Sequence, residues 1–161
     1  VEPAFHDELA SRLVGRWDTG PYGETARIAL KDRVKEIGRW SRRYAILCAR
    51  ARAGIGDWVP THGEPDTGNQ LVTPEGRCLV DWESLKLAPR ERDLRTLIDE
   101  GFADLADDAD RAMVELFDLE WRLDEIAQYA DWFGAPHVGN ASDAEALEGL
   151  CHELDRPEWT P

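Results

Sequence analysis

The stretch Thr61-His62-Gly63-Glu64-Pro65-Asp66-Thr67-Gly68-Asn69, followed after a short apolar run by Leu79-Val80-Asp81-Trp82-Glu83, decides how the rest of the chain is read. A His, an acid two residues on, an Asn five beyond that acid and a further acid closing a β-like run have the spacing of a phosphoryl-transfer centre. That chemistry asks a protein for a carboxylate that orients an acceptor hydroxyl and for a few oxygen ligands to Mg²⁺. Glu64 suits the first of these roles. Asn69 can turn back to the metal from the same loop, Asp81 brings a second carboxylate to the end of a strand as principal ligand, and Glu83 stands by as a helper. Mg²⁺ keeps its waters and the phosphates, so a set this small suffices. Asp66 adds a second carboxylate to the loop, suited either to the hydroxyl or to a cationic substrate. Taken alone, Glu64 and Asp66 also fit a solvated turn made by Gly63, Pro65 and Gly68. His62 reads as a residue that braces the loop, close to the chemistry but not its general base.

The run from Thr61 to Leu94, continuing through Ser84-Leu85-Lys86-Leu87-Ala88 to Pro89-Arg90-Glu91-Arg92-Asp93-Leu94, resembles the catalytic core of the aminoglycoside phosphotransferase family. Choline and homoserine kinases are relatives of that family, whose members resemble protein kinases in fold. Its usual pattern is H-G-D-x-H-x-G-N, a hairpin, a D-[WFY]-[DE] segment and a tail ending in Asp-Leu. Two positions depart from it. Glu64 stands where Asp is usual, one methylene longer, and Asp66 stands where His is common. The resemblance implies that Asp93 braces the catalytic loop from the following helix without touching substrate. It also implies a mostly helical α+β fold, a protein-kinase-like C-terminal lobe in which a short β-hairpin carries the active-site loop. ATP or GTP with Mg²⁺ would be the phosphoryl donor.

A kinase also needs a Gly-rich loop over the phosphates and a strand-borne Lys. Gly54-Ile55-Gly56 is the one G-x-G and lacks the third Gly, no G-x-x-x-x-G-K-[ST] occurs, and Lys31, Lys35 and Lys86 sit in helix-like or loop contexts. The expectation is therefore a single lobe over residues 1–161, with its partner, the N-terminal nucleotide-binding lobe, upstream or lost. A stand-alone module that binds a cation or a partner protein without transferring phosphate, and a metabolite kinase of the choline or homoserine type, stay open beside a phosphotransferase.

Charge narrows the acceptor. Residues 1–98 hold 15 acidic and 16 basic side chains, whereas the last third holds 18 acids and 3 Arg, so that segment carries essentially all of the net charge of −14. A field of that sign repels nucleic acid and anionic membranes and gathers cations. Aminoglycosides are polycations, and the resemblance places the acceptor pocket among acidic residues of the C-terminal helices. A helix predicted over 108–133 carries a core stripe through Met113, Leu116, Phe117, Leu123, Ile126, Ala130 and Phe133. A second stripe, Asp118, Trp121, Glu125, Gln128 and Trp132, mixes acid with indole as an amine-bearing ring ligand would favour, with Asp124 beside it. A solvated acidic face, with Trp121 in the core, is the alternative.

The remaining segments read as scaffold. Helices are expected at 1–14, as one long element at 24–52, at 95–105 and at 142–154, the last capped by Ser142 with Glu145. Short strands are expected at 58–61, 70–73 and 77–81, the last two joined through Pro74-Glu75-Gly76. No apolar run is long enough for a membrane span and no signal-peptide leader is evident. Cys48, Cys78 and Cys151 match neither zinc nor disulfide spacing and read as small buried hydrophobes of a cytoplasmic protein.

Overall fold

The computed structural model describes residues 5–159, the side chain of Leu105 excepted. The described residues form six α-helices, four short strands and several 3-10 turns, a mostly helical chain with small sheets. They divide into two compact units. One gathers the residues up to Ala45 together with those from Leu119 onward, the other is Ile46–Asp118, and the divisions fall inside two of the helices.

In the first unit, α1 (Phe5–Arg12), α2 (Gly23–Asp32), the first half of α3 (Val34–Ala53), most of α5 (Arg111–Gly134) and α6 (Ala141–Asp155) bury an apolar core. Leu30, Ile37, Leu123, Ile126, Phe133 and Leu150 are fully excluded from solvent there. Residues 1–4 of the helix expected at 1–14 lie outside the described residues. The single long helix expected over 24–52 is two helices. At Arg33 the backbone N–H turns back to the carbonyls of Leu30 and Lys31, and the ladder restarts where the Ile37 N–H meets the Arg33 carbonyl. Arg33 is neither Gly nor Pro, so composition did not mark the break. Gly38 lets another helix approach: a Cβ there would lie 2.6 Å from His6 Nε2.

The last helix is capped two residues earlier than expected. Asn140, and not Ser142, is its N-cap, and its side chain accepts from the Asp143 N–H while Asp143 accepts from the Asn140 N–H, a full capping box. Asp143 also accepts from Trp132 Nε1 at 2.8 Å and from the Gly139 N–H, and the Trp132 bond is the chief reason its carboxyl is held below the usual range.

The second unit carries the sequence quoted at the outset. Strand β1 (Val59–Thr61) pairs antiparallel with β4 (Lys86–Ala88), Thr61 opposite Lys86, while β2 (Gln70–Thr73) and β3 (Gly76–Leu79) form a separate hairpin. The hairpin was legible in sequence; β4 was read as loop. Its pairing matters most. Because β1 ends where β4 begins, the chain leaving Thr61 and the chain arriving at Lys86 meet at one end, so the loop 62–69 and the segment 80–85 are brought together. Helix α4 (Glu91–Asp99) starts earlier than expected and is followed by a 3-10 turn over Ala103–Ala106. Of the cysteines, Cys48 is part-buried but Cys78 and Cys151 are exposed, so two of the three are not the buried hydrophobes expected. No helix among the described residues is long and apolar enough to cross a membrane.

Candidate active site

The loop from His62 to Asn69 is fixed by hydrogen bonds at nearly every residue. Asp93, on the first turn of α4, accepts from the His62 N–H at 3.0 Å and the Gly63 N–H at 2.6 Å, and thereby ties the start of the loop to the helix. Thr96 Oγ1 donates to the Gly63 carbonyl at 3.4 Å, and Ser84 Oγ to the His62 carbonyl. Gly63 has φ of +100°, and a Cβ there would lie 2.2 Å from Arg92 Nη2; this position needs glycine on both counts. Arg92 in turn donates to Thr61 Oγ1 at 3.1 Å.

His62 is 2% exposed and packs edge-on against Trp82, with ring centroids 4.6 Å apart. Its Nε2 lies 2.8 Å from the Val80 carbonyl and its Nδ1 accepts from the Glu64 N–H at 3.3 Å. A carbonyl can only accept, so the hydrogen sits on Nε2 and Nδ1 is left as acceptor. Both ring nitrogens are thus spent on holding backbone, one in the loop and one beside Asp81.

Glu64 has its N–H on His62 and its carbonyl on Asn69 Nδ2 at 2.9 Å. Its backbone is clamped from both sides, while its half-buried carboxylate has no partner among the described residues. The same bond orients Asn69: with the amide nitrogen donating to Glu64, Oδ1 is the atom left to accept. The Asn69 carbonyl receives the Val80 N–H at 2.9 Å, which joins the loop to the residue before Asp81. Asp81 is exposed and left-handed at φ 62°, ψ 63°, the one non-glycine residue with positive φ among the described residues. An Asp at such an angle is strained, and its carboxylate makes no hydrogen bond or ion pair among the described residues that would offset the strain. Glu83 is exposed in the 3-10 turn Trp82–Ser84 that follows.

Asp66 has a place in the fold as well. Its Oδ1 caps the 3-10 turn Thr67–Asn69 by accepting from the Gly68 and Asn69 N–H groups at 2.7 and 3.2 Å. One of its oxygens is thereby committed to holding backbone. Thr96, Ser84, Arg92 and Trp82 were given no role in sequence; Thr96 lies one helical turn beyond Asp93, and Trp82 fills the aromatic place of the D-[WFY]-[DE] segment.

The donor set fits a magnesium ion. Asn69 Oδ1 and the Asp81 carboxylate are hard oxygens with no hydrogen-bond partner among the described residues, the donor type that Mg²⁺ takes, and no group of three His, Cys, Asp or Glu that could hold a metal forms among the described residues. A cavity of about 360 Å³ in the same unit is lined by Arg50, Trp58, Arg90, Glu91 and Asp110 among others, and by none of the sequence-predicted residues.

The residues expected to meet an acceptor are placed unevenly. Asp118 is 2% exposed, closed off inside α5 packing, and Asp118, Trp121 and Asp124 each have an interaction partner within the protein. Glu125 accepts a hydrogen bond from Tyr129, which burial first and that bond second push up to about 12. Trp132, at the end of the second stripe, is spent on Asp143.

Compared with known proteins, the chain superposes on a solved structure of spectinomycin phosphotransferase, APH(9)-Ia, in complex with ADP and spectinomycin, with a TM-score of 0.73 over 98% of its length at 18% identity. The fold is the one that spectinomycin phosphotransferase has over about half of its chain. The AMP-bound complex of the same phosphotransferase gives a TM-score of 0.72, again at 18% identity over 98% of this chain. In sequence the chain is 36% identical over 124 residues, 77% of its length, to Protein StrN of Streptomyces griseus. It spans about half of the solved phosphotransferase, 53%, and 38% of Protein StrN. No family model matches it.

Proposed function

We propose that the protein bearing this chain is a phosphotransferase that moves the γ-phosphoryl group of ATP or GTP to a hydroxyl of a small cationic acceptor, of which an aminoglycoside antibiotic is the type. One observation carries this reading. Beside a loop whose backbone is held at nearly every residue, the Glu64 carboxylate, Asn69 Oδ1 and the Asp81 carboxylate have no hydrogen-bond partner among the described residues, and phosphoryl transfer needs oxygens of these kinds.

Glu64 accepts the acceptor hydroxyl's hydrogen bond and takes its proton as the new O–P bond forms, the leaving nucleoside diphosphate keeping the electrons of the broken bond. The clamped Glu64 backbone fixes where that carboxylate starts. Asn69 and Asp81, with Glu83 as helper, would hold Mg²⁺, which supplies neutralising charge to the phosphate oxygens when bound. His62 and Asp93 keep the loop in place, and Asp66 caps its second half. The acidic last third favours a cation, with Asp124 and Glu125, both part-exposed, better placed to meet one than buried Asp118. The N-terminal lobe expected as partner would bring the glycine loop and lysine these residues lack.

The test is a phosphotransfer assay on the full-length protein with ATP and GTP over a panel of aminoglycosides. Glu64→Ala is expected to lower kcat by about 10²–10⁴, and Asp81→Ala to abolish turnover. Turnover that survives Asp81→Ala refutes the metal assignment.

A further inference from the structure

Helix α4 meets the catalytic loop along one face. Asp93, Thr96 and Glu100 stand at i, i+3 and i+7, so their side chains share a side of the helix. Asp93 and Thr96 hold the first half of the loop through His62 and Gly63. Glu100, the residue that ends α4, reaches the second half: its Oε1 accepts both the N–H of Thr67 at 2.9 Å and the Thr67 hydroxyl at 3.0 Å. Its other oxygen, Oε2, is shut off from water and has no hydrogen-bond partner among the described residues. Removing a carboxylate oxygen from water without a partner is unfavourable. The arrangement persists because Thr67 is gripped twice by the other oxygen.

Thr67 opens the 3-10 turn that ends at Asn69 and that Asp66 caps. What fixes Thr67 therefore fixes where Asn69 Oδ1 points. We propose that Glu100 is a positioning residue for the metal-facing half of the loop, the counterpart at the end of α4 of Asp93 at its start. The inference rests on the phosphotransferase reading for its consequence in metal binding, and on geometry alone for its grip on Thr67. It assigns Glu100 no contact with substrate or metal. A glutamine at this place offers the same acceptor oxygen to both Thr67 groups, so the role asks for the oxygen and not for the charge.

The experiment uses the full chain, labelled for NMR, with Mn²⁺ as a paramagnetic stand-in for Mg²⁺. In Glu100→Ala the Thr67 amide is expected to exchange with solvent at least about tenfold faster while Gly63, held by Asp93, is unchanged. The Mn²⁺ concentration that half-broadens the Asn69 and Asp81 signals is expected to rise about ten- to a hundredfold, as for other outer-shell partners of metal ligands. Glu100→Gln is expected to restore both readouts to within about twofold of wild type, which a merely destabilised helix end would not do. Unchanged Thr67 exchange in Glu100→Ala overturns the proposal. So does an unchanged Mn²⁺ midpoint when Asp81→Ala, run beside it, has lost the broadening. Broadening that persists in Asp81→Ala, or is absent from wild type, strikes the metal assignment instead, and Thr67 exchange then decides the role of Glu100.

Discussion

Asp81 offers the sharpest separation between what serves the fold and what serves chemistry. Its left-handed backbone, φ 62° and ψ 63°, costs a residue with a Cβ roughly 1–2 kcal/mol relative to its favoured conformations. Glycine escapes that penalty but has about 0.5–1 kcal/mol more backbone freedom to lose on folding. Since the exposed carboxylate makes no hydrogen bond among the described residues, removing it forfeits none there. Asp81→Gly should therefore be about 1 kcal/mol more stable than Asp81→Ala and no less stable than wild type. Urea unfolding followed by tryptophan fluorescence would show this as a midpoint about 0.5 M higher, for an m-value near 2 kcal/mol/M. Both variants should lose Mn²⁺ binding and phosphotransfer equally. A gain in stability accompanied by loss of function is the signature of strain kept for a site. If Asp81→Gly unfolds no later than Asp81→Ala, the backbone there is not under strain and the inference from conformation to function falls.

Three further outcomes are expected. Asp93→Ala strands the His62 and Gly63 N–H groups and should cost about 3 kcal/mol, two charge-assisted bonds at the lower end of their range because the carboxylate is part-exposed; Asp93→Asn, with one acceptor oxygen, should recover no more than half, and an Asp93→Ala loss below about 0.5 kcal/mol would refute the bracing. Glu24 is held at about 2 against an ordinary 4.5, first by its hydrogen bond to Arg27, so its stabilisation is fully present above pH 4.5 and is lost as pH falls toward about 2; Glu24→Gln should flatten the stability curve across that window, and parallel curves would remove the assignment. Tyr129, raised to about 12 by burial and then by Glu125, keeps its proton longer in the folded state, so the stability it contributes is full below pH 10 and lost between about 10 and about 12. In an alkaline titration read by phenolate absorbance, Tyr129→Phe should delete a step near pH 12.

The site loop and the hairpin after it were legible because their signals are local. Glycines and a proline mark the turn, short runs either side of Pro74-Glu75-Gly76 mark β2 and β3, and His62, Glu64, Asn69 and Asp81 stand at fixed offsets that the backbone itself translates into nearness. Helix α5 was legible for the same reason, its stripe from Met113 to Phe133 being buried as the 3.6-residue period requires. By itself, then, the sequence determined the elements, the candidate chemistry and the concentration of acid in the last third. What depended on partners far along the chain was decided only in three dimensions. Strand β4 is three residues without a pattern of its own and exists because β1 lies opposite it. Arg33 breaks a helix that composition would continue, and Asn140 takes the cap from Ser142 because Asp143 can also receive Trp132. Asp66 and Asp118 are acids like Glu64 and Asp124 when read in sequence; one is committed to capping a turn and the other is closed into a helix interior. A carboxylate's role follows from which hydrogen-bond donors reach it and from whether water can, and neither quantity is written in the order of residues. Tertiary packing set both, and with them separated the oxygens that hold the loop from those without a partner among the described residues.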